Sequence, residues 1–156
     1  GPRFAARAGA TLLDDPCTIE IDGVRVLLMH GDLLCTADPA YQRLRRGLRH
    51  PLTRALLLAL PLAARRRIAV ALRRHSRQAT AAKPEEVLDA VPASAQAALR
   101  AAGASVLIHG HTHRPGRHEH PAGARYVLGD WSASARYLGW DSGGEPRLLD
   151  YALTQP

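Results

Sequence analysis

The sequence predicts one domain of the α/β or α+β class, because two strand-rich parts flank a helical middle. Residues 18–29 and 105–153 contain short apolar or alternating runs separated by Gly, Asp and Pro, a pattern typical of strands. Between them, residues 39–102 space leucine and alanine by three or four, which is typical of helices. With 156 residues, 46% of them hydrophobic, the chain is large enough to bury a core of its own.

The first two strands form a predicted hairpin. Residues 18–21 alternate polar and apolar side chains, Asp22-Gly23 tolerates the positive φ of a tight turn, and residues 24–29 are nearly all apolar. Because such an apolar run suits a strand covered on both faces, we expect residues 24–29 to lie inside a sheet. The run ends at His30-Gly31-Asp32.

The middle of the chain is predicted to be helical. Pro51 and Pro61 stand where the first turns of helices tolerate proline, and Gly103 is a natural residue to follow the end of a helix. We expect helices over residues 39–48, 52–60, 62–82 and 84–102. Later strands are expected over residues 105–108, 125–128, 135–140 and 147–153.

The positive charge is concentrated in one segment. Residues 39–84 contain no Asp or Glu and twelve positive side chains, among them the one lysine of the chain, Lys83. The net charge is +7, so the remaining residues carry a net charge of −5. We therefore expect this segment to meet an anionic partner. Nucleic acid is one candidate, but Tyr41 is the only aromatic residue available there for base stacking.

Export and membrane-spanning signals are not evident in this sequence. The longest apolar stretch, residues 55–64, is interrupted by Pro61 and is far shorter than the roughly 20 residues of a membrane span. Residues 1–10 have no apolar core of the secretory type. Cys17 and Cys35 lack metal-binding or disulfide-framework spacing. We therefore expect the protein to reside in a reducing cytoplasm.

Three histidines follow predicted buried strands, His30 after one and His111 and His113 after another. Ligands of sheet enzymes gather at such strand ends. In an extended segment residues two apart point to the same side, so we expect His111 and His113 to face one spot, with Gly110 allowing a tight turn. Neutral imidazole binds zinc, manganese and iron. The other histidines to which we assign ordinary surface or hydrogen-bonding roles are His50, His75, His118 and His120.

Two segments carry a resemblance to a known family. Residues 29–36, Met-His-Gly-Asp-Leu-Leu-Cys-Thr, and residues 107–115, Leu-Ile-His-Gly-His-Thr-His-Arg-Pro, resemble the last two motifs of the calcineurin-like metallophosphoesterases. More closely, they resemble the UDP-2,3-diacylglucosamine diphosphatases of lipid A biosynthesis, and the likeness runs over the whole chain. The resemblance implies a metallophosphoesterase sandwich, with residues 39–83 inserted as a basic, leucine-rich helical lid.

The resemblance also implies a reaction. His30, His111 and His113 would bind two divalent metal ions, usually manganese, that support an in-line displacement. The reaction would hydrolyse UDP-2,3-diacylglucosamine at the α-phosphorus to UMP and 2,3-diacylglucosamine 1-phosphate. Another phosphoesterase of the superfamily, acting on nucleotides or phosphoproteins, is the alternative. The substrate contacts implied by the resemblance are Asp38, Ser76, Thr80, Lys83 and His111.

Each implied substrate contact has an ordinary alternative. Asp38 precedes Pro39 and suits a helix N-cap. Ser76 and Lys83 are seven residues apart, so we expect them to share a helical face, although a solvated lysine is the usual case. Thr80 stands where the family more often has asparagine, which removes a group that both donates and accepts hydrogen bonds.

The earlier motifs of the family are absent. The chain has no asparagine and no D-x-H, and its Gly-Asp pairs stand at residues 31–32 and 129–130, which are not the family's positions. Residues 1–4 resemble the point just after the family's G-N-x-D motif. We therefore expect residues 1–156 to be one incomplete domain, the C-terminal two-thirds of such an enzyme, without its N-terminal strands, inactive alone and weak in metal binding.

The helical segment has an expected role as well. Its leucines would line a slot for acyl chains, and its arginines would face anionic headgroups. We expect peripheral binding to the cytoplasmic side of the bacterial inner membrane and no nucleic-acid partner.

Overall fold

The computed structural model describes residues 1–81, 83–132 and 134–152. The chain divides into two compact units, one formed by Gly1–Asp32 with Pro92–Pro156 and the other by Leu33–Val91. The first unit contains the strands and the second is helical. A mixed α/β architecture with a central sheet and helices is thereby confirmed.

After an N-terminal helix that was not predicted, the elements follow the predicted order of strands, helices and strands. In chain order they are α1 (Pro2–Ala8), β1 (Cys17–Ile21), β2 (Val24–Met29), a 3-10 turn (Asp32–Leu34), α2 (Pro39–Arg49), α3 (Pro51–Ala59), α4 (Leu62–Ala81), α5 (Glu85–Leu88), α6 (Pro92–Ala102), β3 (Val106–His109), β4 (Gly116–His120), β5 (Gly123–Val127), β6 (Ser134–Gly139) and β7 (Arg147–Ala152).

Among the described residues, the central sheet has five strands in the order β1-β2-β3-β5-β4. Strands β2, β3 and β5 run parallel, while β1 pairs with β2 and β4 with β5 in antiparallel fashion. Strands β6 and β7 form a separate antiparallel pair. The predicted hairpin is confirmed, since Asp22 and Gly23 adopt φ of 48° and 77° between β1 and β2.

The core of the first unit lies on the central strands. Val26 on β2 and Leu107 on β3 are fully buried, and Val26 forms a cluster with Val106 and Tyr126. Strand β2 has a neighbour on each side, so its predicted place inside the sheet is confirmed. The burial of these apolar side chains is the main stabilising contribution to this unit.

The helical unit matches the predicted bounds closely for its first three helices. Helices α2, α3 and α4 differ from the predicted ranges by one residue at most, and residue 82, at the predicted end of the third, lies outside the described residues. None of the residues in these three helices is buried. Over the described residues, no helix is both long and apolar enough to cross a membrane.

One predicted helix is wrong, and one strand was missed. The single helix expected over residues 84–102 is two helices, because Asp89 is extended (φ −91°, ψ 166°) and the residue before Pro92 is disfavoured in helical backbone. Strand β4 was not predicted, since its polar residues hide the alternation of a strand. The last predicted strand ran to residue 153, which lies outside the described residues.

Candidate metal centre

The parallel pairing of β2 with β3 brings the histidine segments together. Met29 pairs with His109 at the ends of these strands. Directly beyond them, the Gly110 N–H donates to the His30 carbonyl at 3.1 Å. Because parallel strands end at the same edge of the sheet, residues far apart in sequence become neighbours there.

His30 and His111 form a pair of imidazoles at this edge. The distance from His111 Nδ1 to His30 Nε2 is 3.1 Å. Their rings meet edge to face, with centroids 4.8 Å apart and an interplanar angle of 70°. His30 is exposed and His111 is half-buried, so the pair is accessible from solvent.

The donor set of this pair fits a divalent metal ion. Imidazole nitrogens bind such ions at about 2.0–2.1 Å, and two nitrogens 3.1 Å apart are close enough to share one ion. A bound ion would use the two nitrogens that face each other in this contact, since ligand nitrogens must be unprotonated.

Two aspartates line a cleft that His30 also lines. Asp14 and Asp15 line a cleft of about 330 Å³ together with His30 and Gly110. The His30 N–H donates to Asp15 Oδ1 at 3.0 Å, which anchors the end of β2. Neither aspartate was predicted as a site residue, because the Asp-Asp-Pro segment reads as an ordinary loop.

The segment that carries His111 and His113 turns sharply. Their φ angles are 68° and 53°, and the Thr112 N–H donates to the Gly110 carbonyl at 2.8 Å. His111 is therefore the centre of a γ-turn with positive φ, a strained conformation. The expectation of an extended segment here is wrong, because the chain leaves the sheet after His109 and both histidines have positive φ. The expectation that the two side chains face one spot stays a prediction.

His113 stands apart from the imidazole pair. Among the described residues, no three side chains of the His, Cys, Asp or Glu type lie close enough together to hold a metal ion. His113 is exposed. Its predicted role as a third ligand stays a prediction.

Gly31 allows the two strand ends to approach each other. Its φ is +110°, and a Cβ placed on it would lie 2.5 Å from His109 Nδ1 and 3.1 Å from the Gly110 carbonyl oxygen. Both the backbone conformation and the space therefore require glycine.

A buried histidine and a buried arginine lie beneath the pair. His109 is 1% exposed and Arg125 is 3% exposed. His109 Nδ1 is 2.8 Å from the Gly110 carbonyl oxygen, and Arg125 Nη1 is 3.4 Å from His109 Nε2. Sequence reasoning gave neither residue a role. His109 belongs to the motif at residues 107–115. For Arg125, a single sequence gives no sign that an arginine in a strand is buried.

In the helical unit, Asp38 and Lys83 form an ion pair. Lys83 Nζ donates to Asp38 Oδ2 at 2.5 Å, and Asp38 Oδ1 accepts the Tyr41 N–H at 3.0 Å as the N-cap of α2. Burial would raise the pKa of Asp38, but hydrogen bonds from Lys83 and from the first turn of α2 outweigh it and lower the pKa below its ordinary value.

The other two predicted substrate contacts lie on α4. Ser76 and Thr80 are exposed, four residues apart on one face. Lys83 lies beyond the last residue of α4, so the expectation that it shares a helical face with Ser76 is wrong. The helix ends before Pro84, because the residue preceding a proline is disfavoured in helical backbone.

The sequence of the whole chain is similar to those of known proteins. No family model matches the chain. It is 48% identical over 149 residues to a UDP-2,3-diacylglucosamine hydrolase of Pseudomonas paraeruginosa, covering 92% of this chain and 62% of the relative. A hydrolase of the same name from Chromohalobacter salexigens is 46% identical over 162 residues, covering 98% of this chain and 64% of the relative.

A third relative of that name, from Aeromonas salmonicida, is 48% identical over 158 residues, covering 98% of this chain and 61% of the relative. The chain is thus homologous to the UDP-2,3-diacylglucosamine hydrolases over nearly its whole length. The resemblance found in the motifs is confirmed. The chain spans less than two thirds of the length of these curated relatives.

Proposed function

We propose that this chain contributes to an enzyme that hydrolyses the pyrophosphate bond of UDP-2,3-diacylglucosamine, releasing UMP and 2,3-diacylglucosamine 1-phosphate. The observation that carries the proposal is the His30–His111 pair, 3.1 Å apart at the ends of two parallel strands. The relatives that match nearly the whole chain bear the name of this substrate. The fold proposed for the enzyme is the metallophosphoesterase sandwich with residues 39–83 as a helical lid.

In this proposal His30 and His111 hold divalent metal ions, with His113 as a third ligand. Two ions, manganese by the resemblance, supply Lewis-acid polarisation of the phosphoryl group and activation of water when bound. The contribution of this chain is to position the two histidine ligands. Asp15 holds the backbone of His30, and the γ-turn aims the ring of His111 at the ring of His30.

The 156 residues alone are proposed to be a weak metal binder without hydrolase activity. The described residues offer no group of three or more protein ligands that could hold an ion, and His30 and His111 supply two. A divalent manganese site needs more ligands than these, in a fixed arrangement.

The helical unit is proposed to receive the lipid part of the substrate. Leu52 and Leu56 lie one turn apart on α3, and each is 63% exposed. Every CH₂ group that an acyl chain buries against such side chains contributes about 0.8 kcal/mol. Ser76, Thr80 and the Asp38–Lys83 pair are proposed as the polar contacts to the sugar and phosphate groups.

The arginines of α4 support peripheral binding to the anionic cytoplasmic face of the inner membrane. Exposed members of this set are Arg66, Arg67, Arg73, Arg74 and Arg77. Each cation near an anionic surface contributes about 1 kcal/mol. Co-sedimentation with phosphatidylglycerol vesicles should therefore decrease steeply as salt rises, and binding that is unchanged at high salt would contradict the electrostatic account.

The experiment that tests the proposed function uses a chimera. The part of the Aeromonas salmonicida relative that this chain does not cover is joined to residues 1–156, and the product is assayed with Mn²⁺ and UDP-2,3-diacylglucosamine. We expect UMP release by the chimera and none by residues 1–156 alone. H111A should reduce the rate of the chimera about 100-fold or more.

The control variant is H118A, since His118 is an exposed residue of β4. It should leave the rate unchanged. A chimera that hydrolyses a water-soluble phosphodiester as readily as the lipid nucleotide would favour another phosphoesterase. A chimera that loses no activity in H111A would refute the proposed site.

A further inference from the structure

We propose that His109 and Arg125 form a buried positioning pair that sets the approach of His30 and His111. The inference rests on the metal centre proposed above, because its purpose is to aim those two side chains. His109 and Arg125 are 1% and 3% exposed, so neither faces the solvent from which a substrate arrives. They act through the backbone that carries the ligands.

The hydrogen-bond partners of His109 define its tautomer. A guanidinium only donates, so His109 Nε2, 3.4 Å from Arg125 Nη1, accepts. A carbonyl oxygen only accepts, so His109 Nδ1, 2.8 Å from the Gly110 oxygen, carries the proton and donates. Arg125 remains charged at any ordinary pH and therefore favours this tautomer permanently.

Gly110 connects the buried pair to both ligands. Its carbonyl oxygen accepts from His109 Nδ1 and, also at 2.8 Å, from the Thr112 N–H that closes the γ-turn around His111. Its own N–H donates to the carbonyl of His30 at 3.1 Å. A shift of Gly110 would therefore move both histidines of the pair.

The ring of His109 also lies against the backbone that follows β2. A Cβ on Gly31 would lie 2.5 Å from His109 Nδ1, so the backbone after His30 lies directly against this ring. The His109 imidazole thus contacts the segment after β2 and is bonded to the segment after β3. Its two nitrogens have partners in the protein, which assigns it to positioning and not to metal ligation.

Two substitutions separate the functions of the two nitrogens. In H109N the side-chain amide can take the place of Nδ1 and donate to Gly110, while the contact with Arg125 is lost. In H109Q the longer side chain can reach the Nε2 position and accept from Arg125, while the donor to Gly110 is lost. Both variants are polar and both fill part of the same buried space.

The test measures the Mn²⁺ affinity of the chimera described above by calorimetry, for its unsubstituted form, H109N, H109Q and H30A. We expect H109Q to weaken Mn²⁺ binding about 10- to 100-fold, as mutation of other residues that support metal ligands does. The Mn²⁺ affinity of H109N should stay within about threefold of that of the unsubstituted form. Equal losses in H109N and H109Q, or no loss in H109Q while H30A weakens binding, would overturn the inference and leave the metal centre standing.

A second measurement needs neither variant nor metal. The long-range ¹H–¹⁵N spectrum of the metal-free wild type should show the His109 proton on Nδ1, and a proton on Nε2 would overturn the inference.

If H30A leaves Mn²⁺ affinity unchanged, the proposed metal centre fails. The backbone amide shifts then decide the inference alone. It requires large changes at residues 110–112 in H109Q and small changes in H109N, and equal changes would overturn it.

Discussion

Substitution of Gly31 by alanine tests the close approach of the two strand ends. The backbone at this position has φ of +110°, and the new Cβ would lie 2.5 Å from the buried ring of His109. An L-residue in this backbone region costs about 1–3 kcal/mol. Displacing a well-packed neighbour costs about another 1–3 kcal/mol, so G31A should lose about 2–6 kcal/mol of unfolding free energy.

The matched control is G143A in the same unit. Gly143 also has positive φ, +72°, but a Cβ there meets no atom within 4 Å. The control therefore carries a cost of positive φ without the collision. The difference between the two variants, about 1–3 kcal/mol, reports mainly the contact with His109.

Urea unfolding followed by circular dichroism gives both values, and thermal melts should differ by roughly 2–4 °C for each kcal/mol. G31A should also bind Mn²⁺ more weakly than G143A, because displacement of His109 moves Gly110. Equal stability of the two variants, to within about 0.5 kcal/mol, would refute the reasoning.

Three further predictions concern stability and its pH dependence. L107A should lose about 2–5 kcal/mol in urea unfolding, because Leu107 is fully buried on a central strand; a loss like that of an exposed-leucine variant such as L62A would contradict the described core. K83M should lose about 1–3 kcal/mol at pH 7 by leaving the carboxylate of Asp38 without its ammonium partner. The pKa of Asp38 is lowered in the folded chain, so the stabilisation by the ion pair is present above about pH 3.9 and is lost as the pH falls through the folded pKa. The unfolding free energies of wild type and K83M should therefore converge in acid. A constant difference down to acid pH would count against the ion pair. Burial and the nearby Arg125 lower the pKa of His120 below 6.5. The wild type should therefore lose stability as the pH falls from about 6.5 through the folded pKa, whereas H120L should lack this pH-dependent loss. Parallel pH profiles of the two proteins would show that His120 does not contribute.

Much of the fold follows from local patterns. The tight-turn residues Asp22-Gly23 and the apolar run after them sufficed for the hairpin. The spacing of leucine and alanine, together with Pro51 and Pro61, sufficed for α2, α3 and α4. These features depend on residues close in sequence. Strand β4 could not be predicted in the same way, because its pairing with β5 depends on partners and not on its own polar residues.

The candidate site was predictable in part. The positions of His30 and His111 after apolar runs indicated strand ends, and the register of β2 with β3 then brings the two rings together. The γ-turn at His111 was not predictable, because it results from a hydrogen bond to Gly110 and not from a residue preference. The roles of His109 and Arg125 depend on burial, which a single sequence does not reveal for a histidine or an arginine in a strand.

Selective line broadening by Mn²⁺ tests the central claim most directly, that His30 and His111 are a metal-binding pair. A paramagnetic ion broadens the imidazole signals of the histidines nearest to it, and residues 1–156 provide the other histidines as internal controls. At substoichiometric Mn²⁺ the account predicts broadening of His30 and His111 before that of His50, His75 and His118. Broadening that begins at those other histidines, or that affects all of them equally, would contradict the proposed centre.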